Sequence, residues 1–277
     1  MVNPTSTCWL LGNPVSHSLS PTIHNVAFSH LGLPVRYEAI ALSGIEVGKA
    51  ITAIDGSTVI GANVTIPHKE AVLSYLDELT PVASKVGAVN TIFVLNGKRM
   101  GHNTDVEGFL APLQTPNFQQ GNVVVLGAGG AARAVLVAVS TFLMPTQLTL
   151  VSRDVQKAAG VCQDLGCGIP DSYDNLEGLL NSASLIVNTT PLGMTPDTDR
   201  SPVPESFTFG PHQTVYDLIY APSETKLMQH ARRDGAKVIG GLPMLIGQAA
   251  ASFEIWTGKK MPIQIVENAL KVRLGMI

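Results

Sequence analysis

The chain has 277 residues, 45% of them hydrophobic and only 14% charged, with a formal net charge of −3. This composition suits a globular protein with two cores of ordinary domain size, and it excludes both a disordered chain and the basic footprint of a nucleic-acid binder. Cys8, Cys162 and Cys167 lack zinc-type spacing and read as free thiols, no apolar run reaches membrane-spanning length, and no basic-then-apolar leader opens the chain, so a cytoplasmic protein without a membrane partner is expected.

In chain order, Thr7 to Leu11 is apolar enough for a first strand, ended by the turn Gly12-Asn13-Pro14. After the polar segment Ser16 to Ser20, Pro21 suits the first turn of a helix reaching about Leu31, with Ser20 as its N-cap. Val35 to Leu42 predicts a strand, Glu46 to Ile54 a helix, and Val59 to Thr65 another strand. Pro67-His68-Lys69 follows, and a helix is expected from Lys69 to Leu79. Asn96-Gly97 is the strongest short turn signal in the chain and predicts a hairpin of Val89–Leu95 with Arg99–His102. Asn103-Thr104-Asp105 then leads into a helix.

The stretch Asn122 to Ala134 orders the rest. Val123 to Leu126 is a continuous apolar run suited to a strand buried on both faces. Gly127, Gly129 and Gly130 follow, then small and apolar residues suited to a helix through Val139. Together they form the dinucleotide fingerprint G-x-G-x-x-G/A, with Ala132 in the last place. Gly127 permits the tight turn, Gly129 lets backbone approach a pyrophosphate, and the helix start favours phosphate charge. Strands at Gln147–Val151, Ser184–Asn188, Thr214–Asp217 and Lys237–Ile239 alternate with helices at Val155–Leu165 and Glu224–Asp234. Residues 106 to 240 therefore predict a Rossmann-type doubly wound sheet. Met244–Trp256 and Ile263–Leu274 read as two apolar helices whose pattern does not say which domain they join.

The chemistry-bearing candidates are ambiguous when taken singly. Lys69 suits a general acid–base or an oxygen anchor, against the plainer reading of a solvated lysine at a helix start, where it would oppose the dipole. Asp105 suits catalysis or an N-cap. Ser18 and Ser20, on one side of an extended segment, have hydroxyls that can hold a carboxylate. His17 and His24 have no Cys, Asp or Glu to complete a metal set, so no metal is expected.

In series the segments resemble the shikimate dehydrogenase family. The resemblance rests on Gly12-Asn13-Pro14, His17 to Pro21 with His24-Asn25, Asn63 to Lys69, Gly87 to Thr91 and Asn103 to Asp105. It continues through Gly127 to Ala131, Asn188 to Met194, Tyr216 to Tyr220, and Gly241 to Met244 with Gln248. It implies two α/β domains: residues 1–105 plus 241–277 for substrate, with a mixed sheet, and residues 106–240 for the dinucleotide, with the reaction in the cleft between them. By this resemblance Lys69 and Asp105 are the catalytic pair. Ser18, Ser20, Thr65, Asn90, Tyr220 and Gln248 contact the substrate. The cofactor falls on Gly127, Ala128, Gly129, Gly130, Ala131, Ser152, Arg153, Lys157, Thr189, Leu218 and Gly241.

The implied activity is NADPH-dependent reduction of 3-dehydroshikimate to shikimate by a monomer or homodimer. Arg153 with Ser152 and Lys157 matches the family's pattern for the NADP 2′-phosphate. Asp154 departs from that pattern, where threonine is usual: a carboxylate there either repels the phosphate or caps the next helix. Three alternatives stand: an NAD-linked shikimate/quinate dehydrogenase, a non-catalytic ligand-sensing relative, and another amino-acid-type two-domain dehydrogenase. The retained lysine, aspartate and glycine turn argue against the second, and the serine pair with the tyrosine–glutamine set argues against the third.

Overall fold

A computed structural model describes residues 6–113 and 121–275. The chain divides into two compact units, Met1–Thr104 with Ile246–Ile277, and Asp105–Leu245.

The first unit opens with β1 (Ser6–Gly12), α1 (Ser20–His30), β2 (Val35–Ala41), α2 (Val47–Thr52) and β3 (Val59–Val64). It continues with β4 (Glu78–Leu79), α3 (Pro81–Val86), β5 (Thr91–Leu95) and β6 (Lys98–His102). Its six strands lie in the order β2-β1-β3-β5-β6-β4. β1 runs parallel to β2 and β3, while β5 is antiparallel to β3 and β6 antiparallel to β5, so the sheet is mixed. Leu11, Val64, Val89 and Ile92 pack there with Val47, Ile51 and Val72 in one buried cluster.

The second unit runs α4 (Asp105–Leu110), β7 (Asn122–Leu126), α5 (Gly130–Ala138), β8 (Gln147–Val151), α6 (Val155–Leu165) and β9 (Ile169–Asp171). Then come α7 (Leu176–Ser182), β10 (Ala183–Asn188), β11 (Thr214–Asp217), α8 (Lys226–Arg233) and β12 (Lys237–Ile239). The strands are all parallel in the order β12-β11-β10-β7-β8-β9. The winding reverses between β7 and β10, and the crevice at the carboxyl ends of those two strands is where such sheets bind ligands.

Helix α9 (Leu242–Thr257) begins in the second unit and continues into the first, so the later boundary falls inside a helix, beyond Gly241. Helix α10 (Ile263–Arg273) belongs to the first unit and packs on α1. Phe253 of α9 meets Phe28 of α1 with ring centroids 5.0 Å apart. These contacts settle where the two terminal apolar helices pack, which their pattern left open.

Three local expectations need correction. The helix expected from Lys69 to Leu79 is a short 3₁₀ turn, Ala71–Tyr75, followed by β4 and then by α3, neither of which the sequence pattern announces. Leu76 turns extended, and Asp77 pairs with Arg99 through Asp77 N–H to Arg99 O at 3.0 Å and Arg99 N–H to Asp77 Oδ2 at 2.7 Å. Thr80 stands before Pro81, a position biased away from helix, and its side chain caps α3 instead.

Ser20 is not the N-cap of α1. Leu19 is, without a side-chain bond, because Ser20 is already helical and Pro21 occupies the first turn. Nor is the Ser18–Ser20 segment extended, since Leu19 has φ −84° and ψ −12°. Finally, β9 and α7 were unforeseen; both are short, of three and seven residues.

Candidate active site

In the first unit a buried polar network surrounds Asn63 and Asn90. The Tyr37 hydroxyl donates to Asn63 Oδ1 at 2.8 Å. Asn63 Nδ2 lies 2.9 Å from Ser252 Oγ and 3.1 Å from both Asn90 O and Thr91 Oγ1. Asn90 Oδ1 accepts Thr104 N–H at 2.8 Å and the Thr91 hydroxyl at 2.9 Å, which turns its carboxamide oxygen inward. Ser252 on α9 donates to Gln248 O at 3.0 Å, tying the backbone of Gln248 to the same network. Ser252 was not foreseen: a serine in an Ala-Ala-Ser-Phe helix carries no sequence mark of such a role.

Ser20 is buried, and its N–H donates to Ser18 Oγ at 3.2 Å. The two serines are therefore brought together by the first turn of α1, not by an extended strand. Burial holds the Tyr37 hydroxyl well above its ordinary pKa, Cys8 adds to this, and a hydrogen bond with Ser20 opposes it. Tyr37 therefore remains a neutral donor linking Ser20 to Asn63.

The Thr65–Lys69 segment is pinned along its length by bonds to neighbouring strands and loops. Thr65 N–H donates to Leu11 O at 2.9 Å, the buried His68 ring bonds Leu42 O at 2.9 Å, and Val89 N–H donates to Lys69 O at 2.8 Å. Gly12 is required beside it, because a Cβ there would lie 2.3 Å from Thr65 Cγ2. Lys69 is half-buried in a turn before the 3₁₀ segment, so no long helix dipole opposes its charge and that objection to a solvated lysine lapses.

In the second unit Asp105 is buried and opens the six-residue α4. Phe109 of that helix stacks on Tyr216 of β11 with centroids 5.0 Å apart and planes 12° apart. Gly127 sits at φ +100°, and a Cβ there would lie 2.8 Å from Thr190 Cγ2. Thr189 N–H and Oγ1 donate to Leu126 O at 2.9 and 2.7 Å, joining the ends of β7 and β10 at the switch point. A Cβ added at Gly129 or Gly130 would meet nothing within 4 Å. Ala128 and Ala132 are buried and Ala131 half-buried, so α5 lies close to its strand while the turn above it stays open.

At the end of β8, Ser152 is buried and its Oγ accepts Asp154 N–H at 3.2 Å. Asp154 caps α6 by accepting Lys157 N–H at 2.9 Å. Arg153 and Lys157 are exposed. Arg153 lies near Tyr173, whose hydroxyl burial pushes up and the guanidinium charge draws back down. Leu218 N–H donates to Asn188 O at 3.1 Å, and Gly241 lies so close that a Cβ would stand 2.1 Å from Leu218 O. Burial raises the pKa of the Tyr220 hydroxyl.

These features fit a dinucleotide. The open glycine turn at a sheet switch point leaves backbone room for a pyrophosphate, and an exposed arginine stands at the end of the next strand. Among the described residues no group of three or more His, Cys, Asp or Glu could hold a metal ion, and no helix is long and apolar enough to cross a membrane.

The profile of the shikimate dehydrogenase substrate binding domain matches residues 10–92, and that of the shikimate 5'-dehydrogenase C-terminal domain matches residues 241–271. The NADP(+) shikimate dehydrogenase of Salinibacter ruber is 43% identical over 277 residues, covering 96% of this chain and 97% of its own. The chain belongs to the shikimate dehydrogenase family. A solved shikimate dehydrogenase in complex with NADP+ superposes with a TM-score of 0.90 at 36% identity, over 98% of this chain and 96% of its own. The Thermus thermophilus shikimate 5-dehydrogenase, solved with NADP(H) and shikimate, gives 0.83 at 35% identity, over 96% and 99%. The first family profile spans Ser18, Ser20, Thr65, Lys69 and Asn90, and the second spans Gly241 and Gln248.

Proposed function

We propose that the chain catalyses the reversible NADPH-dependent reduction of 3-dehydroshikimate to shikimate, a step of aromatic amino-acid biosynthesis. The observation that carries this reading is the full-length 43% identity to an NADP(+) shikimate dehydrogenase in a chain that retains Lys69, Asp105 and an open glycine turn.

When bound, NADPH supplies the hydride to the carbonyl carbon of the substrate. An uncompensated alkoxide would be costly, so the Lys69 ammonium gives its proton to the oxygen, and takes it back in the oxidative direction. Asp105 accepts a hydrogen bond from the same substrate hydroxyl. Ser18 and Ser20 donate hydroxyl hydrogens to the ring carboxylate, while Thr65, Asn90, Tyr220 and Gln248 hold the remaining oxygens and fix the ring for transfer. Gly127 to Ala131 receive the pyrophosphate, and Thr189, Leu218 and Gly241 line the rest of the cofactor's path. Ser152, Arg153 and Lys157 hold the 2′-phosphate. The protein works in the cytoplasm as a monomer or homodimer. Residues 1–105 with 241–277 serve the substrate, and 106–240 the cofactor.

The test is an absorbance assay of shikimate and of quinate, each with NADP and with NAD. Turnover of shikimate with NADP well above the other three combinations is expected. Preference for quinate with NAD, or no turnover with any pair, would overturn the reading.

A further inference from the structure

Asp217 is a carboxylate that the proposed chemistry does not use, yet it is wholly buried at the end of β11. Its partners are all neutral donors. Oδ1 accepts Asn188 Nδ2–H at 2.9 Å and Ile219 N–H at 3.1 Å, and Oδ2 accepts the Thr225 hydroxyl at 2.6 Å. Burial raises its pKa, and these three bonds draw it back. A buried carboxylate is costly to keep unless hydrogen bonds compensate it.

The partners explain its place. Asn188 ends β10, and its Oδ1 accepts Thr190 N–H at 2.9 Å and the Thr190 hydroxyl at 2.7 Å. Its backbone oxygen accepts Leu218 N–H at 3.1 Å. Thr225 caps α8 by accepting Met228 N–H at 3.2 Å. Asp217 thus adds side-chain links among the Thr189–Thr190 turn, the Leu218–Tyr220 segment and the start of α8. Beyond β11 that segment has no sheet ladder. It is held by these bonds and by Gly241 N–H to Ile219 O at 3.1 Å and Thr195 N–H to Ala221 O at 3.0 Å.

We infer that Asp217 is a positioning residue: through Asn188, Ile219 and Thr225 it fixes where Leu218 and Tyr220 meet cofactor and substrate. This rests on the proposed function, because it assigns a consequence to contacts that reading makes.

Two variants separate shape from charge. Asp217→Ala removes every acceptor. Asp217→Asn keeps Oδ1 for Asn188 and Ile219 and can turn its amide toward Thr225. The measurements are KM for shikimate, Kd for NADP, kcat, and hydrogen exchange of the segment 217–221. Asp217→Ala should raise KM and Kd by about tenfold or more and speed exchange at Ile219, with α6 protected as before, while Asp217→Asn stays within about threefold of wild type. If Asp217→Ala does not fold, Thr225→Val, which removes the Oδ2 bond together with the side-chain cap of α8, should still raise KM for shikimate by about threefold with kcat within about twofold. Unchanged KM and Kd in a folded Asp217→Ala protein, losses in Asp217→Asn equal to those of Ala, or an unmoved KM in Thr225→Val would each overturn the inference. A wild type that does not turn over shikimate, with exchange at Ile219 still faster in Asp217→Ala, would defeat the proposed function instead.

Discussion

The Asp154 carboxylate accepts the backbone N–H of Lys157 at 2.9 Å, closing the first turn of α6. Its job in the fold is therefore that of a cap, which threonine performs nearly as well. Asp154→Thr should leave the preference between NADP and NAD within about twofold of wild type, while Asp154→Ala should lower stability by about 0.5–2 kcal/mol. Arg153→Ala should weaken NADP by about 1.5–3 kcal/mol, roughly ten- to a hundredfold, and leave NAD almost untouched. Dissociation constants for both cofactors on the three variants check this. A marked tightening of NADP in Asp154→Thr would mean the carboxylate repels the phosphate as well as capping.

Two glycines of one turn should fail in different ways. Gly127 lies at φ +100° with Thr190 in the path of any Cβ, so Gly127→Ala should cost about 1–2 kcal/mol or more of stability. Gly129 has φ −95° and open space beside it. Gly129→Ala should keep its unfolding midpoint close to wild type yet weaken NADP by about tenfold or more, because the methyl takes the room meant for phosphate. Urea melts and cofactor titrations separate the two. Equal stability losses would remove the distinction.

For the catalytic pair, Lys69→Ala should lose about two to four orders of magnitude in kcat with a much smaller change in shikimate binding. Asp105→Asn should impair the same step. The double variant should cost much less than the sum of the two, since the residues act on one proton. Near-normal turnover in either single variant would sink the assignment.

His24 carries a pH dependence. It is fully buried, stacked on Tyr37 at 4.4 Å with Trp256, Phe28 and Phe253 around it, and neither ring nitrogen has a hydrogen-bond partner among the described residues. Burial lowers its pKa from 6.5 to about 3, so the native ring stays neutral where the unfolded one takes a proton. Stability linked to His24 is thus complete above pH 6.5 and drains away as pH falls toward 3, by up to about 1.4 kcal/mol per pH unit. At pH 5 the wild type should have lost roughly 2 kcal/mol on this account, and His24→Phe should lose that much less between pH 7 and pH 5. Urea midpoints at the two pH values test it. The same drop in both proteins would assign the acid sensitivity elsewhere.

What the sequence made legible follows from local physics. The run Val123–Leu126 with its glycines, and the strands and helices after it, announce a doubly wound sheet because strand, turn and helix are each satisfied within a few residues. The Lys69–Leu79 region misleads for the opposite reason. Val72, Leu73, Leu76 and Leu79 imitate a helical stripe, but Asp77 pairs across to Arg99, a partner far along the chain. The polar hubs were illegible in the same way. Ser252 meets Asn63 across 189 positions, and Asp217 gains its meaning from Asn188 and Thr225. Ser20 shows the finer limit: a serine before proline suits a cap, yet helix α1 starts one residue earlier than that pattern predicts.

The exposed dipeptide Asn96-Gly97 has both φ angles positive, 52° and 76°, the geometry of a tight hairpin turn. It pairs Leu95 with Lys98 and, four steps down the ladder, Thr91 with His102. Just past that last rung Asn90 N–H reaches His102 O at 3.1 Å, and Asn90 Oδ1 receives Thr104 N–H at 2.8 Å. The turn therefore sets the phase of the two strands. Because strand side chains alternate with a period of two, one residue added at the surface would put Asn90 and Thr104 out of step and reverse the faces of a strand.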